Sequence, residues 1–192
     1  MQYLDGAALG TKTLTKDLAF QMGILLAQLH EIRTKKYGDL TVDNKLGSDQ
    51  PASPISEMLD YLEESIAECK DVLPSKLLDK SRKYFDQHKI NLAELDGPCL
   101  VHRDYKPGNV IVHNNRIIGI IDWENARSSF AQEDFMRMET SEWNKDNSSK
   151  ESFMTGYATI RKLPIFKCYA NFTHEQSLRR YWIYYQNGYL AK

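Results

Sequence analysis

Two short β-rich runs, joined by a pair of asparagines, interrupt a chain in which most other segments have the apolar spacing of helices. The runs are Val110–His113 and Arg116–Ile121, and the pair between them is Asn114-Asn115. Asparagine tolerates the positive φ angles that a two-residue hairpin turn requires. The sequence therefore predicts a β-hairpin here, and Leu100-Val101 predicts a short strand before it.

The register of this hairpin brings two polar side chains together. If His113 pairs with Arg116, Asn109 lies opposite Ile120, and Asp122 follows further along on the same face. Diagonal neighbours on one face lie about 7–8 Å apart, so the Asn109 carboxamide and the Asp122 carboxylate can converge on one cation. Such sparse oxygen coordination suits Mg²⁺, which keeps water and substrate phosphates as its other ligands.

A third polar residue, Asp104, lies five residues before Asn109 in the loop that enters the hairpin. There its carboxylate can accept a proton from an alcohol while a metal ion holds a phosphate group. Phosphoryl transfer depends mainly on such positioning and on charge neutralisation. Asp104, Asn109 and Asp122 together therefore point to phosphoryl transfer as the chemistry of this region.

Helical spacing of apolar residues is found on both sides of the hairpin region. The first helical run ends near His30 and contains Gly23, which predicts a close contact with another helix. Ser53 and Pro54 provide the N-cap and the first residue of a second helix. The expected fold class is therefore α+β and mostly helical, with a small β-hairpin that carries the polar residues.

Composition and charge narrow the classes of function. Hydrophobic residues make up 42% and charged residues 27% of the chain, as in ordinary globular proteins. The 25 Lys and Arg residues balance 26 Asp and Glu residues, so no overall positive field attracts nucleic acid or an anionic membrane surface. The three cysteines lack Cys-x-x-Cys spacing, and the apolar runs are far shorter than a membrane span. We expect a cytoplasmic protein without nucleic-acid or membrane partners.

Residues 101–109 (Val-His-Arg-Asp-Tyr-Lys-Pro-Gly-Asn) and 120–124 (Ile-Ile-Asp-Trp-Glu) have the order and spacing of two known motifs. They resemble the catalytic loop and the metal-binding motif of the aminoglycoside phosphotransferase and choline kinase-like family, which has a protein-kinase-like fold. The resemblance implies an ATP- and Mg²⁺-dependent phosphotransferase that acts on a hydroxyl of a small, amine-bearing molecule such as an aminoglycoside-like compound. Asp-Trp-Glu replaces the Asp-Phe-Gly of protein kinases, and no Ala-Pro-Glu follows, so a peptide substrate is not expected.

The resemblance also implies roles for individual residues. Asp104 would be the catalytic base, and Lys106 would contact the transferred phosphate, with a solvated surface lysine as the alternative. Asn109 and Asp122 would bind Mg²⁺, in agreement with the hairpin argument. His102 would pack beneath the catalytic loop and bond to the backbone.

Acidic residues after the hairpin have two interpretations each. Asp134 would support the catalytic loop, or it is an acidic residue favoured at a helix N-terminus. Glu133, Glu139 and Glu142 would form a wall for an amine-bearing substrate, since the family recognises cationic alcohols through helices that follow the metal motif. The alternative for this acidic run is a solvated helix face.

The resemblance covers only the C-terminal lobe of the fold. Residues 1–9 are expected to be a hinge remnant, in which Tyr3 and Leu4 line the adenine pocket. Residues 10–192 would be the helical C-lobe that contains the catalytic loop and the metal-binding motif. No Gly-rich loop and no strand lysine are found in the sequence, so the N-terminal lobe is expected to be absent. A fragment, a truncated reading frame and a natural single-lobe protein all explain this pattern.

Two functions therefore stay open. In the first, the chain is the catalytic lobe of a small-molecule kinase that is inactive or weakly active in isolation. In the second, it is a non-catalytic substrate-binding or scaffold module derived from such a kinase. In either case we expect apolar surface at the hinge edge, near Met1, Tyr3, Leu100 and Ile121, to favour self-association.

Overall fold

The computed structural model describes most of the chain before residue 165. The described residues are 4–10, 13–40, 53–141 and 147–164. The chain divides into two compact units, of which one comprises Met1–Gln50 and Asp96–Pro164 and the other Pro51–Leu95 and Ile165–Lys192. The prediction of a hinge at the start of the chain and one lobe after it stays a prediction.

Within the described residues, helices provide most of the regular structure, and six short strands form two small sheets. The helices are α1 (Lys16–His30), α2 (Pro54–Cys69), α3 (Ser75–His88), α4 (Gln132–Ser141) and α5 (Asn147–Ala158). The strands are β1 (Ala7–Ala8), β2 (Gly38–Asp39), β3 (Cys99–Val101), β4 (Val110–His113), β5 (Arg116–Ile120) and β6 (Arg127–Ser129). The expected α+β class is confirmed. Within the described ranges, no helix has both the length and the apolar character that crossing a membrane requires.

The second unit contains α2 and α3. The Ser53 hydroxyl accepts the Ser56 backbone N–H at 3.1 Å, and Pro54 is the first helical residue of α2, as predicted. Four apolar residues at helical spacing along α2 are buried, and α3 buries two further apolar side chains. These buried residues are Met58, Leu62, Ile66 and Cys69 on α2, and Leu78 and Phe85 on α3.

In the first unit, α1 and α5 approach so closely that their backbones touch at two glycines. A Cβ atom on Gly23 would overlap the carbonyl oxygen of Phe153, and one on Gly156 would overlap the carbonyl oxygen of Phe20. The predicted helix contact at Gly23 is therefore confirmed. This packing joins α1 to α5, the last described helix.

The Gly23 contact gives a stability prediction. Gly23→Ala should lower the free energy of unfolding by about 1–3 kcal/mol, because the added methyl group forces the two backbones apart. Gly10→Ala is the matched control, since a Cβ there meets only the Thr13 hydroxyl at 3.7 Å. Urea unfolding followed by circular dichroism measures both. Equal stability of the two variants would contradict the close contact.

The predicted hairpin is formed by β4 and β5, with β1 on the other side of β4. Its turn residues Asn114 and Asn115 have φ angles of 48° and 57°, which confirms the two-residue turn. The Gln21 side chain of α1 holds the turn end of the hairpin, because its Oε1 accepts the Ile117 N–H at 3.2 Å and its Nε2 donates to the Asn115 carbonyl at 3.1 Å. The hairpin is therefore fixed against the helical core.

The register at the other end of the hairpin differs from the prediction. Val110, not Asn109, pairs with Ile120, because a β-bulge adds one residue to β5. The bulge lies next to Gly119, where a Cβ would come within 2.5 Å of Leu4 Cδ1. Asn109 instead accepts the Ile121 N–H at its carbonyl oxygen, at 2.9 Å. Asn109 therefore still lies beside the end of β5.

The second sheet has the antiparallel order β2-β6-β3. Ser128 on the central strand pairs with Gly38 on one side and with Leu100 on the other. The strand predicted at Leu100-Val101 is confirmed and begins one residue earlier, at Cys99. Its end at Val101 leads directly into the loop that carries the candidate catalytic residues.

Candidate active site

The candidate catalytic loop spans residues 102–109 and connects the two sheets of the first unit. It leaves β3 after Val101 and enters β4 at Val110 through a short 3₁₀ helix, Pro107–Asn109. The Asn109 N–H closes this turn by donating to the Lys106 carbonyl at 3.0 Å. Both ends of the loop are thus anchored in strands.

Two polar side chains of this loop contact the same carboxylate oxygen of Asp104. Lys106 Nζ lies 2.6 Å from Asp104 Oδ2, and Asn109 Nδ2 donates to the same oxygen at 2.9 Å. Asn109 Nδ2 also donates to the Asp104 backbone carbonyl, at 2.9 Å. Because the amide nitrogen is directed at Asp104, the carboxamide oxygen is the Asn109 atom suited to a cation.

Asp122 lies where β5 has ended, and β4, the strand that pairs with β5, begins directly after Asn109. Its backbone is left-handed, with φ of 68° and ψ of 55°, and its side chain is exposed. Asp122 follows Ile121, whose N–H bonds to Asn109. The amide oxygen of Asn109 and the carboxylate of Asp122 are hard donors that fit Mg²⁺ when water and phosphate complete the coordination. Within the described ranges, no three His, Cys, Asp or Glu residues cluster as metal ligands.

His102 is fully buried and joins the loop to the end of β5. Its Nε2 lies 2.9 Å from the Ile121 carbonyl, and its Nδ1 accepts the Asp104 N–H at 3.3 Å. Since Nδ1 accepts, Nε2 carries the hydrogen and donates to Ile121. The Trp123 ring packs on the imidazole, with ring centroids 4.6 Å apart. His102 thus bonds the backbone on both sides of the candidate site.

Asp134, near the start of α4, accepts two backbone N–H groups of the loop. Its Oδ2 lies 2.8 Å from His102 N, and its Oδ1 lies 2.5 Å from Arg103 N. Arg103 has a φ angle of 64°, a left-handed conformation that costs energy in an L-residue. Asp134 is fully buried. It therefore supports the loop from the core at Arg103, the residue with the left-handed backbone.

Glu133, one of the three acidic residues predicted to contact substrate, also contacts this loop. Only 8% of its surface is exposed. Its Oε1 accepts the Ser129 hydroxyl at 2.6 Å, and its Oε2 lies 2.8 Å from Arg103 Nε. A buried carboxylate needs such partners, and a contact of Glu133 with substrate stays a prediction. The Glu139 side chain and Glu142 lie outside the described residues.

Tyr3 and Leu4 are predicted to line the adenine pocket, and the structure describes the second of them. Leu4 is half-buried, and its side chain packs over Gly119 of the hairpin. Tyr3 lies outside the described residues. The structure therefore brings Leu4 to the hairpin sheet, whose strand β4 begins directly after Asn109.

His30 and Tyr157 form a buried pair next to Asp134, and neither residue was predicted as part of the site. His30 Nε2 is 3.1 Å from Asp134 Oδ2, and His30 Nδ1 is 2.9 Å from the Tyr157 hydroxyl. The sequence pattern that could have marked His30 as buried is its four-residue spacing from Met22 and Leu26 on the apolar face of α1. A titratable side chain on a buried face requires a polar partner.

The two cysteines among the described residues are buried thiols. Cys69 and Cys99 are buried and not in a disulfide, and Cys168 lies outside the described residues. Burial raises the pKa of the Cys99 thiol to about 12. A thiol with that pKa stays protonated at neutral pH, whereas the thiolate is the reactive form.

Comparison with known proteins agrees with the motifs. The family model described as "Phosphotransferase enzyme family" matches residues 1–163. No match was found among curated proteins. The gentamicin complex of APH(2")-IIa has 19% identity and a TM-score of 0.61, and the match covers 96% of this chain and 60% of that one. Macrolide 2'-phosphotransferase MphH from Brachybacterium faecium has 18% identity and a TM-score of 0.64, with 98% and 64% covered.

An ethanolamine kinase of Plasmodium vivax also has this fold, with 18% identity, a TM-score of 0.58 and 82% of this chain matched to 49% of that one. At such identities the likeness shows a shared fold. The chain spans 60% and 65% of the first two matched structures, so it corresponds to part of their length. The family model covers most of the chain, and the chain belongs to the phosphotransferase enzyme family.

Proposed function

We propose that this chain contributes the C-terminal lobe, residues 10–192, of an ATP- and Mg²⁺-dependent phosphotransferase that acts on a hydroxyl of a small, amine-bearing molecule. The observation that carries the proposal is the convergence of Lys106 and Asn109 on one Asp104 oxygen. In a member of the phosphotransferase family, this arrangement suits a proton acceptor placed between a cation and a metal ligand.

In the proposed reaction, Asp104 accepts the proton of the substrate hydroxyl. The hydroxyl oxygen forms a bond to the γ-phosphorus of ATP, the bond from that phosphorus to the β–γ bridging oxygen breaks, and ADP leaves. Lys106, whose ammonium group lies 2.6 Å from Asp104, is placed to neutralise charge on the transferred phosphoryl group. Positioning and charge neutralisation supply most of the rate in such reactions.

Asn109 and Asp122 are the residues proposed to hold Mg²⁺. When bound, the metal ion neutralises charge on the nucleotide phosphates. Asn109 is 6% exposed and bonded to Asp104, so its orientation is fixed before binding. Asp122 is exposed at the end of β5, where solvent and a nucleotide can reach it. His102 keeps these two residues together through its bonds to Asp104 N and Ile121 O.

The proposed acceptor is a small alcohol or amino alcohol. Solved structures with this fold include complexes with gentamicin and with spectinomycin, and an ethanolamine kinase. Glu133, Glu139 and Glu142 stay candidates for contacts with the cationic groups of such a substrate. Tyr3 and Leu4 stay candidates for contacts with adenine.

The function is tested by acceptor-dependent ADP release. The protein to assay is a fused protein, in which residues 1–192 follow a lobe with a Gly-rich loop and a strand lysine, taken from a phosphotransferase of this family. Gentamicin, spectinomycin, a macrolide and ethanolamine serve as acceptors, and a reaction without acceptor is the control. We expect ADP release that requires both Mg²⁺ and one class of acceptor. Acceptor binding without ADP release would favour the non-catalytic binding module.

Residues 1–192 alone should bind MgATP weakly and transfer no measurable phosphate. Asn109 and Asp122 are the two metal ligands proposed among the described residues, and the sequence contains no Gly-rich loop to cover the phosphates. Water should therefore reach the phosphates in this polypeptide, so most of the electrostatic stabilisation of a dry site would be lost. Isothermal titration with MgATP and a coupled ADP-release assay measure both quantities. Tight binding with steady turnover by this polypeptide would contradict the prediction.

The hinge edge is also proposed to favour self-association. Of the four residues predicted at this edge, Ile121 is 38% exposed and Leu100 is half-buried, whereas Met1 and Tyr3 lie outside the described residues. Trp123, two residues after Ile121, is 39% exposed. Sedimentation velocity at increasing concentration should show an oligomer that dissociates on dilution. A monomer at every concentration would contradict this proposal.

A further inference from the structure

Asp122, the proposed metal ligand, lies at a reversal of the backbone directly after β5. The residue before it is fixed on both sides, because the Ile121 N–H donates to the Asn109 carbonyl at 2.9 Å and the Ile121 carbonyl lies 2.9 Å from His102 Nε2. After Asp122 the chain forms the 3₁₀ turn Trp123–Asn125. The direction of the Asp122 carboxylate therefore depends on the backbone angles of Asp122 as well as on its side-chain rotamer.

The backbone angles of Asp122 are left-handed, with φ of 68° and ψ of 55°. Aspartate tolerates this region better than most residues, but the region still costs energy in an L-residue. The Asp122 side chain is exposed, so its own packing gives little support to the conformation. Contacts of the neighbouring residues must therefore hold it.

Trp123 makes two contacts that depend on this conformation. Its indole Nε1 donates to the Ile120 carbonyl at 2.8 Å, which joins the residue after Asp122 to a residue before it. Its ring packs on the His102 imidazole, with ring centroids 4.6 Å apart and ring planes inclined by 50°. A change of Asp122 to right-handed or extended angles would turn the Trp123 side chain away from both partners.

The indole ring of Trp123 combines a hydrogen bond with packing on His102. Phenylalanine and tyrosine can also pack on an imidazole, but neither carries a ring N–H group. The acceptor is itself held in place, since Ile120 pairs with Val110 in the hairpin. Trp123 is 39% exposed, so water competes for its hydrogen bond and the contribution of that bond is modest.

We propose that Trp123 is a positioning residue for Asp122. Its hydrogen bond to Ile120 and its packing on His102 keep Asp122 left-handed. The carboxylate is then presented to the metal ion that Asn109 also binds. This last step rests on the proposed phosphotransferase function, whereas the link from Trp123 to the Asp122 backbone can be measured without nucleotide or turnover.

Three substitutions separate the hydrogen bond from packing and from general loosening. Trp123→Phe keeps an aromatic ring for His102 and removes the N–H group, and Trp123→Ala removes both contacts. Asn125→Ala is the matched control, because Asn125 is an exposed residue of the same 3₁₀ turn. Circular dichroism shows whether each variant is folded, and Trp123→Phe alone decides the test if Trp123→Ala is not.

The first readout is NMR of the 192-residue chain. A positive φ brings the amide and α hydrogens of a residue unusually close together, so the NOE between them reports the left-handed fraction. Trp123→Phe should lower the ratio of left-handed to relaxed Asp122 about threefold to tenfold, and Trp123→Ala should lower it further. The NOE of Asn115, whose φ is 57°, is the internal control and should not change in any variant.

The second readout is the Mg²⁺ dependence of the fused protein at fixed ATP. Apparent affinity falls with the fraction of protein that is competent to bind, so the Mg²⁺ concentration for half-maximal rate should rise about twofold in Trp123→Phe and about tenfold in Trp123→Ala. The value of kcat at saturating Mg²⁺ should stay within about twofold of the wild type, whereas general damage to the fold would lower kcat. Asn125→Ala should keep the wild-type Mg²⁺ dependence.

The Asp122→Asn background tests whether the effect of Trp123 passes through Asp122. In that background Trp123→Ala should raise the Mg²⁺ requirement by less than about twofold, because the charged ligand is already absent and the two effects are not additive. A fused wild-type protein without turnover would refute the proposed function, and the NOE data would still decide the link between Trp123 and Asp122.

Three results would overturn the proposal. The first is an unchanged Asp122 NOE in Trp123→Phe, since the indole bond would then hold nothing. The second is an equal loss of the NOE at Asp122 and at Asn115, because general loosening would explain both. The third is the same rise in Mg²⁺ requirement on Trp123→Ala with and without Asp122→Asn.

Discussion

Asp104→Asn in the fused protein should lower kcat by about 10²–10⁴-fold, the usual contribution of a general base. Asparagine has nearly the same shape and can still accept hydrogen bonds from Lys106 and Asn109, which contact Asp104 at 2.6 and 2.9 Å. The loop should therefore keep its structure while the proton acceptor is lost. Initial rates of ADP release at saturating MgATP and acceptor measure the effect.

The matched control for this substitution is Asp60→Asn, which makes the same chemical change on an exposed position of α2. We expect wild-type turnover from the control and an unchanged KM for MgATP from both variants. If Asp104→Asn turned over as fast as the wild type, Asp104 would not be the base.

The second large effect is expected at Asp122. Asp122→Asn should raise the KM for MgATP at least about tenfold, because one charged metal ligand is replaced by a neutral one. Asparagine is a cleaner choice than alanine, since Asp122 has a φ of 68° and asparagine tolerates the left-handed region better. Asp122→Ala should lose at least as much nucleotide affinity and some stability as well.

Titration with Mg²⁺ at fixed ATP distinguishes a ligand from a structural residue. The Asp122→Asn enzyme should need a higher Mg²⁺ concentration for half-maximal rate. Asn125→Ala, in the same exposed 3₁₀ turn, is the control and should keep the wild-type dependence. An unchanged Mg²⁺ dependence in Asp122→Asn would show that the ligand assignment is wrong.

Features that depend on neighbouring residues could be predicted from the sequence. The Asn114-Asn115 turn follows from the tolerance of asparagine for positive φ, and the Ser53 cap follows from a local hydrogen bond. The order of β3, loop and hairpin was also evident, because β-branched residues alternate with turn residues there. Gly23 pointed to a helix contact but not to the identity of α5 as its partner.

Features that depend on distant contacts could not be predicted in this way. The bulge in β5 shifted the pairing of Asn109, and it lies where Leu4 packs over Gly119. The burial of Glu133 beside Arg103 depends on how α4 packs against the loop, which no local sequence pattern shows. Positive φ angles at Arg103 and Asp122 are likewise imposed by tertiary contacts.

The contacts of His30 with Asp134 and Tyr157 could not be predicted from local sequence either. His30 and Asp134 are 104 residues apart in the chain, and His30 and Tyr157 are 127 apart. A local pattern marks His30 only as a polar residue on an apolar helix face. Its partners become evident once α1, α4 and α5 are packed together.

The proposed transfer of a phosphoryl group from ATP to a hydroxyl of a small molecule at Asp104 can be followed directly. The measurement is ³¹P NMR of the fused protein with MgATP and its preferred acceptor, beside the Asp104→Asn variant. We expect ADP and a phosphate monoester of the acceptor in equal amounts, formed far more slowly by the variant. Inorganic phosphate as the sole product, or the same ester yield from Asp104→Asn, would contradict it.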